Sequence, residues 1–372
     1  MDWAKTAVEK LLTEADVKIN GDRPWDIRVR NEDFYKMVVR SGGLGFGETY
    51  MAGYWDVDRL DQLIERLFLT KVVSKAWVTP TNLAAYLSTF FKRSRSAKSA
   101  AFEIGRRHYD LGNDLFVRML DKRLVYTCGY WKDAKNLDEA QEAKLDLVCR
   151  KIGLKQGQEV LDIGCGWGSF AKFAAERYGA HVTGTTVSEE QVKLGRELCK
   201  GLPVTFRLED YRDLKGSFDH IVSLGMFEHV GHDHYRRYMQ VAHNHLKNGG
   251  LFLLHTIGNN ASDMSVDPWL EKYIFPNSSL PSVARIGKAI ERLFVMEDWH
   301  NFGADYSKTT MAWFENFDRH WPEISAKYGE TFYRMWKYYL LACAGAFRAR
   351  ETQLWQIVLS KEGVPGGYRS VR

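Results

Sequence analysis

The sequence predicts an α/β protein in which a smaller, mainly helical N-terminal domain precedes a larger domain built on a parallel sheet. From about residue 158, short apolar strand patterns alternate with helical patterns, which is typical of a parallel sheet covered by helices on both faces. The first of these strands leads directly into a glycine-rich turn that opens a helix. Before residue 92, apolar residues recur mainly at helical spacing. A chain of 372 residues is long enough for both domains.

Composition, charge and cysteine usage indicate which classes of protein and partner are expected. Hydrophobic residues make up 45% of the chain and charged residues 27%, as in ordinary globular proteins. The net charge of +5 suits an anionic surface but is too small to indicate nucleic acid, so we expect no nucleic-acid partner. Five cysteines without a C-x-x-C pair predict no disulfide framework and no metal site, and therefore a reducing cytoplasm. The first residues lack a secretory signal pattern and no apolar run is long enough to span a bilayer, so we expect no export and only peripheral contact with lipid.

Residues 1–91 are predicted to form an accessory, lipid-binding domain. Apolar spacing predicts helices at residues 3–15, 33–39, 60–69 and 82–91 and a short strand at residues 26–30. Glycines 42, 43, 45 and 47 predict a tight turn region. The first helix is amphipathic, and it either lies on a membrane or packs on its own domain; the second is the commoner use of such a helix.

We place the domain boundary in a basic, serine-rich stretch at residues 92–101, whose composition is typical of an exposed linker. The catalytic domain then comprises residues 102–372. Together with Arg106 and Arg107, the linker could also hold lipid phosphates, because each basic residue near an anionic leaflet contributes about 1 kcal/mol. Both uses remain open.

The larger domain is predicted to contain strands at residues 159–163, 181–187, 204–208, 220–224 and 251–256. Ligands of such sheets bind at the carboxyl ends of the strands, so functional residues are expected directly after each strand. The strongest signal is the G-x-G-x-G turn of Gly164, Gly166 and Gly168, where backbone can approach a ligand without a clashing Cβ. With Asp162 at the strand end, this turn resembles the first motif of class I S-adenosylmethionine-dependent methyltransferases, a Rossmann-like fold. Cys165 is interpreted as a small residue that fits the turn.

That resemblance implies S-adenosylmethionine as the methyl donor. Many such enzymes hold the ribose with an acid after the second strand; none stands here, and we assign Thr186 and Gln191 as polar substitutes. Asp210, after the third strand, is placed to meet the adenine amino group. Each of these three residues could instead be a helix cap or a turn residue. The predicted cofactor-binding residues are Tyr126, Thr127, Asp162, Gly164, Gly166, Gly168, Thr186, Gln191, Asp210 and Tyr211.

Several further segments resemble the cyclopropane fatty acid synthases. They are residues 45–54, 108–114, 126–131, 225–231, 254–258, 301–306 and 343–348, so the resemblance covers nearly the whole chain. It implies an enzyme that transfers a methylene group from S-adenosylmethionine to the cis double bond of unsaturated phospholipid acyl chains and forms a cyclopropane ring. It also implies a homodimer in the cytoplasm that acts peripherally at the inner face of the cell membrane.

The implied reaction needs a base and no metal. An alkene that attacks the sulfonium methyl leaves a carbocation, which must lose a proton before the ring closes and must be kept from water. Aromatic faces attract cations, and 12 Trp, 18 Tyr and 20 Phe are enough to line an apolar tunnel. The resemblance implies a bound bicarbonate ion as the proton acceptor. Its implied ligands are Cys128, Glu228, His255, the backbone of Ile257, and Tyr306.

Each implied catalytic residue also has a plainer interpretation. Glu228 could be only an acid at a helix start, His255 a structural histidine and Tyr306 a core residue. Cys343 is assigned at most a secondary, substrate-side catalytic role, because a cysteine among small residues is usually inert. The histidines at 229, 232 and 234 are expected at the surface, since a zinc site needs further ligands.

Other functions share some of these features. A methyltransferase that stops at methyl or methylene branching would use the same cofactor turn and base. A nucleic-acid methyltransferase would need a strongly basic face and an acceptor motif, which the sequence lacks. A membrane-binding module that keeps the cofactor fold would use the basic stretch and several tryptophans, but the intact glycines argue against it. The tryptophans in question are Trp3, Trp25, Trp55 and Trp77. No pattern in the sequence specifies acyl chain length, double-bond position or headgroup.

Overall fold

The computed structural model describes residues 3–72, 112–262 and 266–372. Their strands are β1 (Arg28–Val29), β2 (Trp55–Asp56), β3 (Glu159–Ile163), β4 (His181–Thr186), β5 (Val204–Leu208), β6 (Phe218–Leu224), β7 (Leu246–Asn259), β8 (Val295–Asn301) and β9 (Thr352–Ser360). Their helices are α1 (Trp3–Glu14), α2 (Asp33–Met51), α3 (Leu60–Leu69), α4 (Asn113–Met119), α5 (Leu137–Lys151), α6 (Ser169–Tyr178), α7 (Glu189–Leu198), α8 (Tyr235–His245), α9 (Pro268–Tyr273), α10 (Val283–Ile290), α11 (Ala304–Tyr328) and α12 (Glu330–Arg348). Short 3₁₀ turns lie at Tyr211–Asp213, Phe227–His229 and His232–His234.

The chain divides by its contacts into two compact units, each made of separate stretches of sequence. The helical unit contains the described part of Met1–Arg95 with Val266–Pro276 and Tyr306–Thr352. The sheet unit contains the described part of Ser96–Ser265 with Asn277–Asp305 and Gln353–Arg372. The predicted helix at residues 82–91, the linker, Trp77, Arg106 and Arg107 lie outside the described residues. The division into domains at residues 92–101 therefore stays a prediction.

The sheet unit is built on seven strands in the order β5-β4-β3-β6-β7-β9-β8. Strands β3 to β7 pair in parallel, and β8 pairs antiparallel with β9. The order reverses between β3 and β6, which is where open α/β sheets bind ligands. The predicted α/β class and its five strands are confirmed, although β7 extends well beyond its predicted bounds.

Side chains of successive residues in the central strands lie on opposite faces of this sheet. Leu161 and Ile221 pack in one apolar cluster with α8 and α10, whereas Val160 and Val222 pack in another with α5 and α6. Because side chains alternate along a strand, helices on both faces require apolar residues at successive positions. The central strands are buried on both faces for this reason.

The helical unit departs from the sequence prediction at the glycines of residues 42–47. The predicted turn region is confirmed only at Gly42, whose non-helical backbone (φ 55°, ψ −132°) breaks α2 into two helical stretches, and it is wrong for the glycines at 43, 45 and 47, which lie within the second stretch. A Cβ on Gly45 would lie 2.2 Å from the Met37 carbonyl oxygen, and one on Gly47 would lie 2.4 Å from the Trp269 ring. Gly45 therefore permits a close approach within α2, and Gly47 permits close packing of α2 against Trp269 of α9.

The first helix packs on its own unit. Ala4, Val8 and Leu12 of α1 are buried, and α1 contacts α2, whereas Trp3 is 71% exposed. The interpretation of α1 as an amphipathic helix that packs on its own domain is confirmed for the face that carries Ala4, Val8 and Leu12. In the described parts of the chain, none of the helices has the length and hydropathy needed to cross a bilayer.

Candidate functional site

A cavity lies in the sheet unit at the carboxyl ends of β3, β4, β5 and β6. Its lining includes most of the residues predicted to bind the cofactor: Tyr126, Thr127, Asp162, Gly164, Gly166, Thr186, Gln191, Asp210 and Tyr211. Gly168 does not line the cavity; a Cβ there would lie 2.3 Å from the Phe206 ring, so this glycine serves packing. The structure brings these residues around one cavity, and their role in binding a cofactor stays a prediction.

The glycine turn leaves open space above the end of β3. Gly166 has φ +56°, and a Cβ built on it would meet no atom within 4 Å. The turn is anchored from below, because the amides of Gly164 and Cys165 both donate to the Thr185 carbonyl at 2.9 Å. Burial raises the pKa of the Cys165 thiol well above its ordinary value, which fits its interpretation as a packing residue.

Polar residues after β4 and β5 form the other side of the cavity. The Thr186 hydroxyl donates to Gln191 Oε1 at 2.6 Å, and both side chains are buried. Asp210 accepts from Arg212 Nε at 2.6 Å and from Nη2 at 2.7 Å, and Arg212 also lines the cavity. Asp210 caps the 3₁₀ turn as well, since it accepts from the Arg212 amide. Asp210 is therefore a capping residue of this turn, and this role does not exclude a contact with a ligand.

Glu228 follows β6 on a 3₁₀ turn and is buried. Its Oε1 accepts from the Ile257 amide at 2.6 Å, whereas Oε2 has no hydrogen-bond partner among the described residues. Burial raises the pKa of Glu228 to about 7, and the Ile257 amide opposes that shift. The carboxyl group is therefore held in place by one oxygen and has the other oxygen available.

His255 lies within β7, on the same strand face as Ile257 because side chains alternate along a strand. Its ring is buried, and burial, with Lys144 and Lys151 nearby, holds the pKa of His255 well below its ordinary value. Gln356 Nε2 lies 3.3 Å from His255 Nδ1 and donates to it. The neutral ring consequently carries its proton on Nε2, which has no hydrogen-bond partner within the described part of the chain.

Cys128 is also buried in the sheet unit, and its thiol contacts the Gly129 carbonyl at 3.2 Å. The adjacent Thr127 lies against the turn after β6, since a Cβ on Gly225 would be 2.6 Å from Thr127 Cγ2. The Gly225 amide in turn donates to the His255 carbonyl at 2.9 Å. This chain of contacts joins the Cys128 segment to the strand that carries His255.

Tyr306 and Cys343 belong to the helical unit, and each is described within it. Tyr306 is buried and stacks on Phe347 with ring centroids 4.4 Å apart. Burial raises the pKa of the Cys343 thiol to about 12, which keeps it protonated at neutral pH. A grouping of these two residues with Glu228 and His255 stays a prediction.

Three residues that contact the candidate site residues were not found by sequence reasoning, and a fourth was expected elsewhere. His229, expected at the surface, lines the cavity, and burial lowers its pKa to about 4. Lys144, Gln141 and Gln356 carry no motif that would mark them; they act through contacts across different elements. Among the described residues, no group of His, Cys, Asp and Glu side chains could hold a metal ion.

The family profile described as mycolic acid cyclopropane synthetase matches residues 96–357. The chain is 52% identical over 373 residues to the cyclopropane-fatty-acyl-phospholipid synthase of Escherichia coli (strain K12), and the alignment covers 100% of this chain and 96% of that protein.

Solved structures give a consistent result. The cyclopropane synthase MmaA2 from Mycobacterium tuberculosis superposes with a TM-score of 0.67 at 30% identity, over 70% of this chain and 98% of that chain. The mycolic acid cyclopropane synthase CmaA1, solved as a complex with SAH and CTAB, superposes with a TM-score of 0.66 at 30% identity, over 70% of this chain and 98% of that one. The fold of the sheet unit is that of the class I methyltransferases to which these neighbours belong.

Proposed function

The chain belongs to the mycolic acid cyclopropane synthetase family, and from this premise we propose that it transfers a methylene group from S-adenosylmethionine to the cis double bond of unsaturated phospholipid acyl chains. The product would be a cyclopropane ring. The full-length similarity to a synthase that is named for phospholipids supports this substrate class. One structural observation carries the proposed chemistry: Glu228 Oε2 and His255 Nε2 are both buried without a hydrogen-bond partner in the described residues. Glu228 is bonded to the amide of Ile257, two residues after His255, and is followed in the chain by His229, which lines the cavity.

The cavity fits S-adenosylmethionine, which supplies an activated methyl group on a sulfonium ion. The space above Gly166 admits a ligand close to the backbone, and Asp162 Oδ2 is buried without a hydrogen-bond partner among the described residues. Thr186, Gln191 and the Asp210 pair with Arg212 offer polar groups at the opposite side. We assign the cofactor contacts to these residues, with Tyr126, Thr127 and Tyr211.

The pair of Glu228 and His255 fits a small oxyanion that both accepts and donates. Bicarbonate has one hydroxyl and further oxygen acceptors, so the Glu228 carboxylate can accept from the hydroxyl while His255 Nε2–H donates to an oxygen. When bound there, bicarbonate supplies the base that removes the proton from the transferred carbon. The amide of Ile257 fixes the Glu228 carboxylate in this scheme, and Gln356 fixes the His255 ring.

Cys128 and Tyr306 complete the proposed bicarbonate ligands on the strength of the family resemblance. A thiol donates weakly and a phenol donates well, so both could stabilise an anion. Cys343 keeps at most a substrate-side role, because its thiol is protonated at neutral pH.

Water has to be kept from the carbocation that forms when the alkene attacks the methyl group. Near His255 the surroundings are aromatic: its ring lies 6.0 Å from the Phe302 ring, which is 5.3 Å from the Tyr130 ring. Such faces exclude water and stabilise cationic charge by about 1 to 2 kcal/mol when desolvated. We infer that this cluster borders the reacting carbons.

We further propose that the enzyme reaches its substrate by peripheral association with the cytoplasmic face of a membrane and works as a homodimer. The net charge of +5 suits an anionic leaflet. The exposed Trp3 at the start of α1 is a candidate contact, because tryptophan favours the headgroup region. Sedimentation with anionic vesicles and light scattering of the purified protein test these two points separately.

The proposed function is tested by incubating the purified protein with labelled S-adenosylmethionine and vesicles of a monounsaturated phospholipid. We expect fatty acids one methylene heavier that no longer react as alkenes. Glu228→Gln should nearly abolish this product, with S-adenosylhomocysteine binding retained, while the exposed Glu189→Gln on α7 serves as the control. A branched product with a double bond would instead support a methyl- or methylene-branching enzyme, and loss of cofactor binding in Glu228→Gln would assign Glu228 a structural role.

A further inference from the structure

Lys144 is a buried lysine that the proposed mechanism does not use. It lies on α5, lines the cofactor cavity and is 0% exposed. Its ammonium donates to the Thr127 hydroxyl oxygen at 2.7 Å. Gln141, one turn earlier on the same face of the helix, donates to the Thr127 carbonyl at 2.7 Å. Two side chains of α5 therefore hold Thr127, one at its backbone and one at its hydroxyl.

A buried ammonium is costly unless another charge compensates it. Lys144 forms no ion pair within the described residues. Asp162 also lines the cavity, and its Oδ2 has no hydrogen-bond partner among those residues. Burial lowers the pKa of Lys144 to about 8, and the nearby carboxyl groups of Asp121 and Asp162 oppose the shift, so the ammonium remains mostly charged at neutral pH. Burial raises the pKa of Asp162 to about 7, so this side of the cavity presents one ammonium group and one carboxyl group that a cationic ligand group would ionise.

The hydrogen-bond direction at Thr127 follows from the chemistry of lysine. An ammonium group donates and never accepts, so the Thr127 oxygen must accept from Lys144. The proton of the Thr127 hydroxyl is then directed away from Lys144, and Thr127 lines the cavity. Thr127 is in this way prepared to donate to an anionic group of the ligand.

S-adenosylmethionine carries one carboxylate and one ammonium on its amino-acid portion, which match the Lys144 ammonium and the Asp162 carboxyl group on this side of the cavity. We propose that Lys144 is a positioning residue, which orients the Thr127 hydroxyl as a donor to the cofactor's carboxylate and supplies the positive charge that favours that carboxylate. The proposal rests on the proposed function only in taking S-adenosylmethionine as the cofactor. It does not depend on the lipid or on the base.

The test compares two ligands that differ only in the carboxylate: S-adenosylhomocysteine and its decarboxylated analogue. We expect calorimetry to show that Lys144→Met binds S-adenosylhomocysteine at least about 10-fold more weakly, as for loss of a hydrogen bond to a charged group. Its affinity for the decarboxylated analogue should be unchanged. Thr127→Val should show the same selective loss, and the double variant should be little worse than either single variant, because the two residues act as one unit.

Lys151→Met is the matched control, since Lys151 is an equally buried lysine of α5 but contacts Asp298 and His300. It should alter thermal stability without discriminating between the two ligands. Equal weakening of both ligands in Lys144→Met would make Lys144 a structural residue and overturn the proposal, as would unchanged binding of both. If the unmodified chain bound neither ligand, both the proposed function and this inference would fail. If it bound the ligands but formed no ring product, only the proposed function would fail.

Discussion

Glu228 is the single residue whose protonation state should govern turnover. Burial raises its pKa to about 7, and its proposed task of accepting a hydrogen bond requires the ionised form. Because the protonated form predominates below that pKa, kcat/KM should fall about tenfold per pH unit below pH 7 and level off above it. The measurement is a pH–rate profile at a fixed bicarbonate concentration. An acid limb near the ordinary glutamate pKa of about 4.3 would contradict this role.

Gln356 should determine which nitrogen of His255 carries the proton. Its amide donates to Nδ1, which leaves the proton on Nε2 for the proposed oxyanion. In Gln356→Leu that constraint is gone, so we expect a mixture of tautomers in the ¹⁵N spectrum of His255 and turnover lower by about 10-fold. Gln240→Leu on α8 is the control, because Gln240 contacts Asn244 instead. An unchanged tautomer with full activity would show that Gln356 does not orient the ring.

The packing of α12 on α3 depends on a glycine. A Cβ on Gly345 would lie 2.5 Å from the Asp61 carbonyl oxygen and 2.9 Å from the Glu65 amide nitrogen. Since backbone atoms cannot move aside cheaply, Gly345→Ala should lower the free energy of unfolding by about 1 to 3 kcal/mol in chemical denaturation.

Gly287→Ala on α10 is the matched control for Gly345→Ala. A Cβ on Gly287 would meet no atom within 4 Å, so the same substitution should raise the free energy of unfolding by about 1 kcal/mol through helix propensity. Equal effects of the two substitutions would refute the close approach of α3 and α12.

Elements with a clear local pattern were predictable from sequence, whereas those shaped by distant contacts were not. The strand at residues 159–163 and the helix at residues 60–69 were predicted with their observed bounds. Strand β8 was missed because Val295 and Met296 are more than 40% exposed at the sheet edge, so no buried face marks the strand. Of the glycines in α2, only Gly42 marks a break in the helix; the close approach of Gly47 to Trp269 could not be predicted, because that partner lies far away in the sequence.

The candidate site likewise contains residues that a local sequence pattern predicts and residues that only distant contacts reveal. The glycine turn after β3 and the acid before it form a local motif, and the cavity is found beside it. Lys144 and Gln356 could not be found in this way, because their partners are 17 and 101 residues distant in the sequence. Their roles become visible only when the helix and the strand that carry them are packed on the sheet.

At the scale of the whole molecule, the N-terminal residues complete a unit that also contains α11 and α12. Arg334 of α12 donates to the carbonyls of Tyr50 at 2.6 Å and Trp55 at 2.9 Å and pairs with Asp56 at 2.8 Å. Removal of residues 1–72 would take away these partners of the guanidinium and expose the part of α12 that packs on α2 and α3. We expect the shortened chain to lose cooperative unfolding and to aggregate. A shortened chain that stays monomeric and retains a sharp thermal transition would show that α12 does not need those residues.

In the proposed reaction, a methyl group is transferred to an alkene and then loses a proton as the ring closes. The most direct measurement uses S-adenosylmethionine with a fully deuterated methyl group and vesicles of a monounsaturated phospholipid, followed by mass spectrometry of the fatty acids. We predict a product without a double bond in which the added carbon keeps two of its three deuterium atoms. A product whose added carbon keeps all three would show that the methyl group is never deprotonated and would contradict the role assigned to Glu228 and His255.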